Sequence, residues 1–558
     1  MSTKKKILVI LLLVLIMAST LTGIIWNLKN YQMIGFRFYP KNAEVLDLRE
    51  EKISVSQYNK LRRKMPDCRI LWQIPLQDKY YPQDMTWLTL PELTAEDAQL
   101  LPYFTQLETL DLRNCQDPAL AATVQRTYPQ LNVLYSVRIG GQEYDQDTKI
   151  VTINGIEADE AERIAYLPQL AQVRLESGRD PQNLATLMDI CRERNIPVLA
   201  VLGMDVYDLN TQDLYTRGLT EQGAQLLTLM PQLKRIHLAE PVLSGQRLMQ
   251  LVAELPHVEI TWEKEVLGTS YAGDISQLDL SAAMSQEGVQ VLEKAKTASV
   301  QGQRDDVVYQ FAVNDRYPMP DLSASTASIL AQLEQALDYF PNLEKVIFGG
   351  GLLDNEAMAA YRESHREDYK VVWYVQCGNK MVVRTDSTYF MPTKYHVYYF
   401  LDDDAQSLTY CEDMICIDLG HMAVSKIDWV ASMPELQYLV LAHSQVKYIE
   451  PIRSCKKLKF LELDWSPIRD YSPLKDCTAL EDLNLGETYA DFTPVGEMTW
   501  LKNLWMVNCN RGPAYRMTEA LKQTHVVVSG SATVAGGWRS LPNYYAMRDH
   551  LGMYYMTW

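Results

Sequence analysis

The chain has 558 residues, 47% apolar and 22% charged, a balance that excludes a disordered polypeptide and supplies several domains' worth of core. Its formal net charge of −17 repels phosphate backbones and anionic lipid, and no basic stripe offsets it, so no nucleic-acid partner is expected. Nine cysteines, an odd number spread from Cys68 to Cys509, are too sparse for a disulfide framework.

At the N-terminus, Lys4, Lys5 and Lys6 precede an uncharged stretch from Ile7 to Trp26, ILVILLLVLIMASTLTGIIW. That length suits a helix crossing a bilayer, with the lysines inside and Trp26 at the outer interface. The expected organisation is a cytoplasmic stub over 1–6, a transmembrane signal-anchor in the cytoplasmic membrane over 7–26 and a linker over 27–42. The product is a single-pass cell-membrane protein with its C-terminal region extracytoplasmic. The rival is a cleaved signal peptide and a secreted protein, although small residues around Ala18 to Thr22 match a cleavage site poorly.

A long-period repeat follows. LETLDL from Leu107, LAQVRL from Leu170 and LKRIHL from Leu233 recur at intervals of 63, and AEVLDL from Ala43 stands 64 residues before the first. A second theme ends at Trp72, Tyr135 and Trp262. Each unit is predicted to run strand, helix, strand, hairpin, strand, helix, with Thr94 and Thr220 as helix N-caps. The pattern loosens from about Asp274 to Phe340 and returns with LEKVIF at Leu343 and EDYKVVW ending at Trp373. A long-period α/β repeat region is therefore expected over 43–395, then a connector over 396–413. One continuous solenoid is the expected outcome, because a strand and a helix per unit suit both arrays.

From Met414 the period shortens. Met414, Leu436, Leu458, Leu480 and Leu501 are spaced by 22, 22, 22 and 21 residues, and each opens a unit with apolar residues at positions one, four and six. Such alternation marks a strand with one face buried, so Leu461 and Leu463 point inward and Glu462 between them points away. Ser444, Ser466 and Thr488 then turn the chain. Pro451, Pro473 and Pro494 start the outer turns, where the missing N–H costs nothing, and the preceding residue is the expected cap. Cys455 and Cys477 fall at equivalent positions, with Met433 one unit earlier, and read as core fillers.

The pattern LxxLxLxx(S/T)x(I/V) followed by (I/Y)x-Pro-(I/L) resembles the 22-residue leucine-rich repeat of internalin-type bacterial surface proteins, over residues 414–509. The tail GGWRSLPNYYAMRDHLGMYYMTW resembles the aromatic ends of such proteins in Gram-positive bacteria. The resemblance implies an α/β fold, a leucine-rich-repeat solenoid, with residues 510–558 capping the end of its core. Serine or threonine stands where the family usually has asparagine, so an altered hydrogen-bond ladder is expected. The resemblance also places the residues between the strand leucines on a concave face: Tyr438, Phe460, Trp465 and Trp505 beside His443, Glu462, Asp464, Asp482, Asn484 and Glu487. Aromatic anchors ringed by polar groups suit a protein partner, with Trp465, directly after a strand, as the foremost. The competing expectation is that these aromatics only cover their neighbours along the sheet.

Catalytic motifs are missing: the chain has no GxSxG, HExxH or GxxxxGK(S/T). Cys411, Cys416, His421 and His443 fit no common zinc spacing, LDDDAQSLTYCEDM lacks the EF-hand glycine and glutamate, and FGGGLLD lacks the order of a phosphate loop. No catalysis, metal or cofactor is expected. The expected function is binding of another protein through the concave surface. The alternatives are a cell-wall glycan binder on the same face, or a hydrolase within the irregular 274–395 region.

Overall fold

The structure is a computed structural model that describes residues 3–34, 37–284, 310–312 and 319–553. The chain divides into two compact units, Met1–Arg235 and Ile236–Trp558.

The first unit opens with α1 (Thr3–Asn30), which exposes apolar side chains including Leu8, Leu12 and Leu15. Among the described residues, however, no helix is long and apolar enough to cross a membrane. This corrects the expected transmembrane signal-anchor over 7–26, and with it the single-pass localisation and the membrane contact.

Parallel ladders then recur through the first unit. Val45–Asp47 pairs with Arg69–Leu71, and Trp87–Thr89 with Thr109–Asp111 and then Asn132–Leu134. Sixty-three residues after Trp87, Ile150–Ile153 opens the same arrangement with Gln172–Leu175 and Val198–Leu202. Antiparallel hairpins separate the ladders, Gln73–Leu76 with Lys79–Pro82 and Ser136–Ile139 with Gln142–Asp145. The second turns through Gly140 and Gly141, both at positive φ, as a two-residue hairpin loop requires. Thr94 Oγ1 accepts the Asp97 N–H at 3.0 Å while the Asp97 carboxylate accepts the Thr94 N–H at 3.1 Å, a reciprocal cap. Thr220 Oγ1 likewise accepts the Gly223 N–H at 3.2 Å.

In the second unit, Gln277–Asp279, Lys345–Ile347 and Lys370–Val372 form a further parallel ladder. Part of the region to which the hydrolase alternative was assigned, residues 285–309 and 313–318, lies outside the described residues.

A seven-stranded parallel sheet follows: β1 (Tyr389–Phe390), β2 (Cys416–Asp418), β3 (Tyr438–Val440), β4 (Phe460–Glu462), β5 (Asp482–Asn484), β6 (Asn503–Trp505) and β7 (His525–Val527). The strands pair without slippage, Ile417 with Leu439, Leu461, Leu483 and Leu504 in turn. Every strand-leucine position in the five units is buried, from Met414, Ile417 and Leu419 to Leu501, Leu504 and Met506. Burial of that row, at about 25 cal/mol per Å² of apolar surface, stabilises each unit only against its neighbours.

The outer side of each 22-residue unit is a short 3₁₀ turn, Glu450–Ser454 and Ser472–Asp476 among them. The residue before proline does not cap these turns. Instead Asp470 and Asp491, two residues earlier, accept the Ser472 and Thr493 N–H groups at 2.8 and 3.0 Å. Cys455 and Cys477 are buried free thiols, each directed at a carbonyl of the preceding unit, Val430 and Ile452. After β6 the chain forms α2 (Arg511–Ala520) and β7. Residues 528–553 then fold back across the concave side of the sheet, ending in α3 (Pro542–His550), rather than merely closing the end of the core.

Candidate binding surface on the repeat array

The concave face carries the side chains that alternate with the inward leucines, as the strand period demands. Tyr438, Phe460 and Asp482 form one row, Glu462, Asn484 and Trp505 the next. All six are buried. The C-terminal segment covers them: the Trp538 ring lies 4.9 Å from Phe460 and 5.1 Å from Trp505, and His550 lies 5.5 Å from Tyr438. The Trp538 indole N–H donates to the Glu462 carboxylate, and the Trp505 indole N–H to the Ala535 carbonyl. Asn543 donates to Asp482 at 3.0 Å, and Asn484 donates to the Thr533 carbonyl at 3.5 Å. Asp464, just past β4, is buried beside Thr533.

Tyr438, Phe460, Glu462, Asp464, Asp482, Asn484 and Trp505 thus line the concave face but present nothing to solvent, which corrects the expectation of an open aromatic surface there. The physical reason is local. A sheet face with this much aromatic area in water would be a large apolar patch, and the chain's own aromatic tail buries it.

What stays open is the corner after each strand. His421, His443, Trp465, Glu487 and Asn508 occupy the same position in successive units, and all five have left-handed backbone, with φ between 53° and 62°. Such a conformation costs a non-glycine residue about 1 kcal/mol. It is held by the neighbouring unit: the His421, His443, Trp465 and Glu487 N–H groups donate to the carbonyls of Ala442, Asp464, Gly486 and Val507 at 2.7 to 3.0 Å. The left-handed turn throws each side chain off the concave face and onto the rim.

There the rings stack. His421 and His443 lie 4.4 Å apart at 22°, and His443 and Trp465 lie 5.2 Å apart at 17°. Trp465 is 51% exposed. Beside it opens a groove of about 480 Å³ lined by Pro467, Ile468, Arg469, Glu487, Tyr489 and Ala490. Glu487 is fixed from both sides, accepting from the Tyr489 hydroxyl at 2.8 Å and from Asn508 Nδ2 at 2.7 Å. Partial desolvation among its neighbours, and then the adjacent His421, lower the His443 imidazole below its ordinary value, so burial in the stack favours the neutral form of that ring.

Of the ten expected contact residues, the structure therefore brings His443, Trp465 and Glu487 together on one exposed rim and places the other seven under cover. His421, Tyr489 and Asn508 also belong to the rim and were not anticipated. The 22-residue register held the signal for two of them, since His421 precedes His443 by one unit and Asn508 follows Glu487 by one. Among the described residues, no group of three or more histidine, cysteine or acidic side chains is arranged to hold a metal ion.

No family model matches the chain, and no curated protein does. Among solved structures it is similar to an internalin C2 of Listeria monocytogenes, at 18% identity over 23% of this chain and 70% of that one, with a TM-score of 0.19. A second internalin of that species matches at 14% identity over 75% and 92% of the two chains, with a TM-score of 0.22. A leucine-rich-repeat protein of Leptospira interrogans matches at 11% identity over 79% and 94%, with a TM-score of 0.21. Superpositions this loose carry no weight on geometry or partners. The α/β repeat architecture rests on the chain's own strand register and buried leucines.

Proposed function

We propose that the chain is a recognition scaffold without catalysis, and that a protein partner docks on the rim of the 22-residue repeats, centred on Trp465 and His443 with Glu487 beside them. The observation that carries this reading is the row of near-parallel exposed rings, His421, His443 and Trp465. An indole already held against a neighbouring ring loses little freedom on binding, which is how aromatic anchors gain affinity. Tyr438, Phe460, Glu462, Asp464, Asp482, Asn484 and Trp505 join a contact surface only when the concave face is uncovered.

A photo-crosslinking side chain at position 465 of the full chain, compared with one at position 475 on the outer turn, tests the proposal. Capture at 465 alone, of a protein whose affinity falls at least tenfold for Trp465→Ala, supports it. Equal capture at both positions, or unchanged affinity, sinks it. Flat rings also suit sugar faces, so uptake of wall polysaccharide at the same rim with no protein captured would reassign the rings to glycan stacking.

A further inference from the structure

The concave face and the segment lying on it bury acidic side chains that the rim does not use. Acidic side chains recur on that face. Asp418 and Glu462 stand two strands apart in one row, Asp482 lies in the adjacent row on β5, and Asp464 follows Glu462 by two residues. Asp464 Oδ1 is buried without a hydrogen-bond partner. The segment brings few charges to meet them: Arg539 faces Glu462, and Asn543 offers amide hydrogens to Asp482 and Glu481. From the array, His421 and His443 face Asp464, while Lys459 and Lys502 face Glu481 at the rim. Glu462 and Asp464, buried two residues apart, resist ionising together under an apolar cover, whereas in water they ionise freely.

We propose that the concave face is a peptide-binding groove filled in cis by residues 528–553, and that this segment is released when the carboxylates beneath it ionise. The docked ligand defines what the groove recognises: an indole N–H seated on Glu462, with the ring between Phe460 and Trp505, followed by an apolar helical turn that buries Met547 and Leu551. Burial pushes the Glu462 carboxyl up to about 8 from an ordinary 4.5, and burial raises Asp418, Asp464 and Asp482 as well. Docking is thus fully supported below the ordinary carboxylate range and weakens as pH rises toward about 8, where the loss is complete.

Hydrogen exchange on the full chain at pH 6 to 9, corrected for intrinsic rates, tests this. Amides of residues 538–551 are expected to lose protection by up to about tenfold per pH unit as pH rises from 6 toward 8 and to level off above 8, the factor for one proton released on opening, while β3 to β5 keep theirs. Glu462→Gln should hold the segment down across the range. Protection that does not change with pH, a Gln variant as steep as the parent, or loss of segment and strands together would each overturn the proposal. A second variant, Trp538→Ala, should expose the segment at every pH, and an added peptide of residues 528–553 should bind that variant at least tenfold more tightly at pH 6 than at pH 9. No peptide binding at pH 6 would overturn the groove.

Discussion

The Ser466 hydroxyl lies 3.0 Å from that of Ser444, one unit earlier, and donates to the Leu441 carbonyl at 2.7 Å. Both hydroxyls are buried, and Ser466 Oγ also accepts the Ser444 N–H at 3.3 Å. This short hydroxyl ladder takes the place of the asparagine ladder implied by the resemblance. Removing one rung orphans groups that water cannot reach. Ser466→Ala is expected to cost about 1–3 kcal/mol in chemical denaturation, and an unchanged midpoint would show that the carbonyl finds another donor.

Leu463 and Glu462 are adjacent and buried on opposite sides of the sheet. Leu463→Asp should cost about 4 kcal/mol or more, since it puts a carboxylate among the stacked leucines. Simple alternation makes Glu462→Lys a silent control. The Trp538 bond makes it a costly change as well, because it sets an ammonium beneath the indole. The two variants should differ in what they loosen: Leu463→Asp the repeats on either side, Glu462→Lys the C-terminal segment, as read by limited proteolysis.

Trp465 touches solvent on one side and His443 on the other. Trp465→Ala should therefore shift stability by less than about 1 kcal/mol, the scale of one aromatic contact, while removing roughly 2 kcal/mol or more of partner affinity. A larger loss in the thermal midpoint than in affinity would make the ring structural.

Asp386 is buried between Arg384, whose Nε lies 2.6 Å from its Oδ1, and the Lys345 ammonium. Burial alone would raise this carboxyl, but the charge and hydrogen bond of Arg384, with Lys345, more than offset it and hold it below its ordinary value. Its contribution is present at neutral pH and is lost as pH falls below the usual carboxylate range, opposite in sign to that of Glu462. Asp386→Asn should cost about 3–5 kcal/mol at pH 7, because it removes the negative charge against which Arg384 and Lys345 are held, and should flatten the fall in stability between pH 5 and 3.

The repeat array was legible in the sequence because a packed strand imposes the same demand every 22 residues. Leu439, Leu461 and Leu483 satisfy it, and so do the caps at Thr94 and Thr220, whose bonds reach only three residues along the chain. Trp465 was expected on the concave face, and the left-handed turn that carries it to the rim was not legible. Nor was the covering of the concave face. Trp538 reaches Glu462 across 76 residues, a contact that no period encodes, and Phe460 and Trp505 look alike in sequence whether a partner or the chain's own tail buries them. The N-terminal span was read from hydropathy alone, and among the described residues no helix is long and apolar enough to cross a membrane.

The left-handed corners carry one further consequence. His, Trp, Glu and Asn all sit there with nearly the same φ, and His421, His443, Trp465 and Glu487 are each anchored through the backbone N–H to the next unit. The hydrogen bond that holds the corner does not depend on the occupant's side-chain chemistry, and among residues without a branched Cβ the strain differs little. Five consecutive positions can change identity without disturbing the coil of leucines behind them. The rim is a row of interchangeable sockets on a fixed frame, where new specificity arises by substitution one socket at a time.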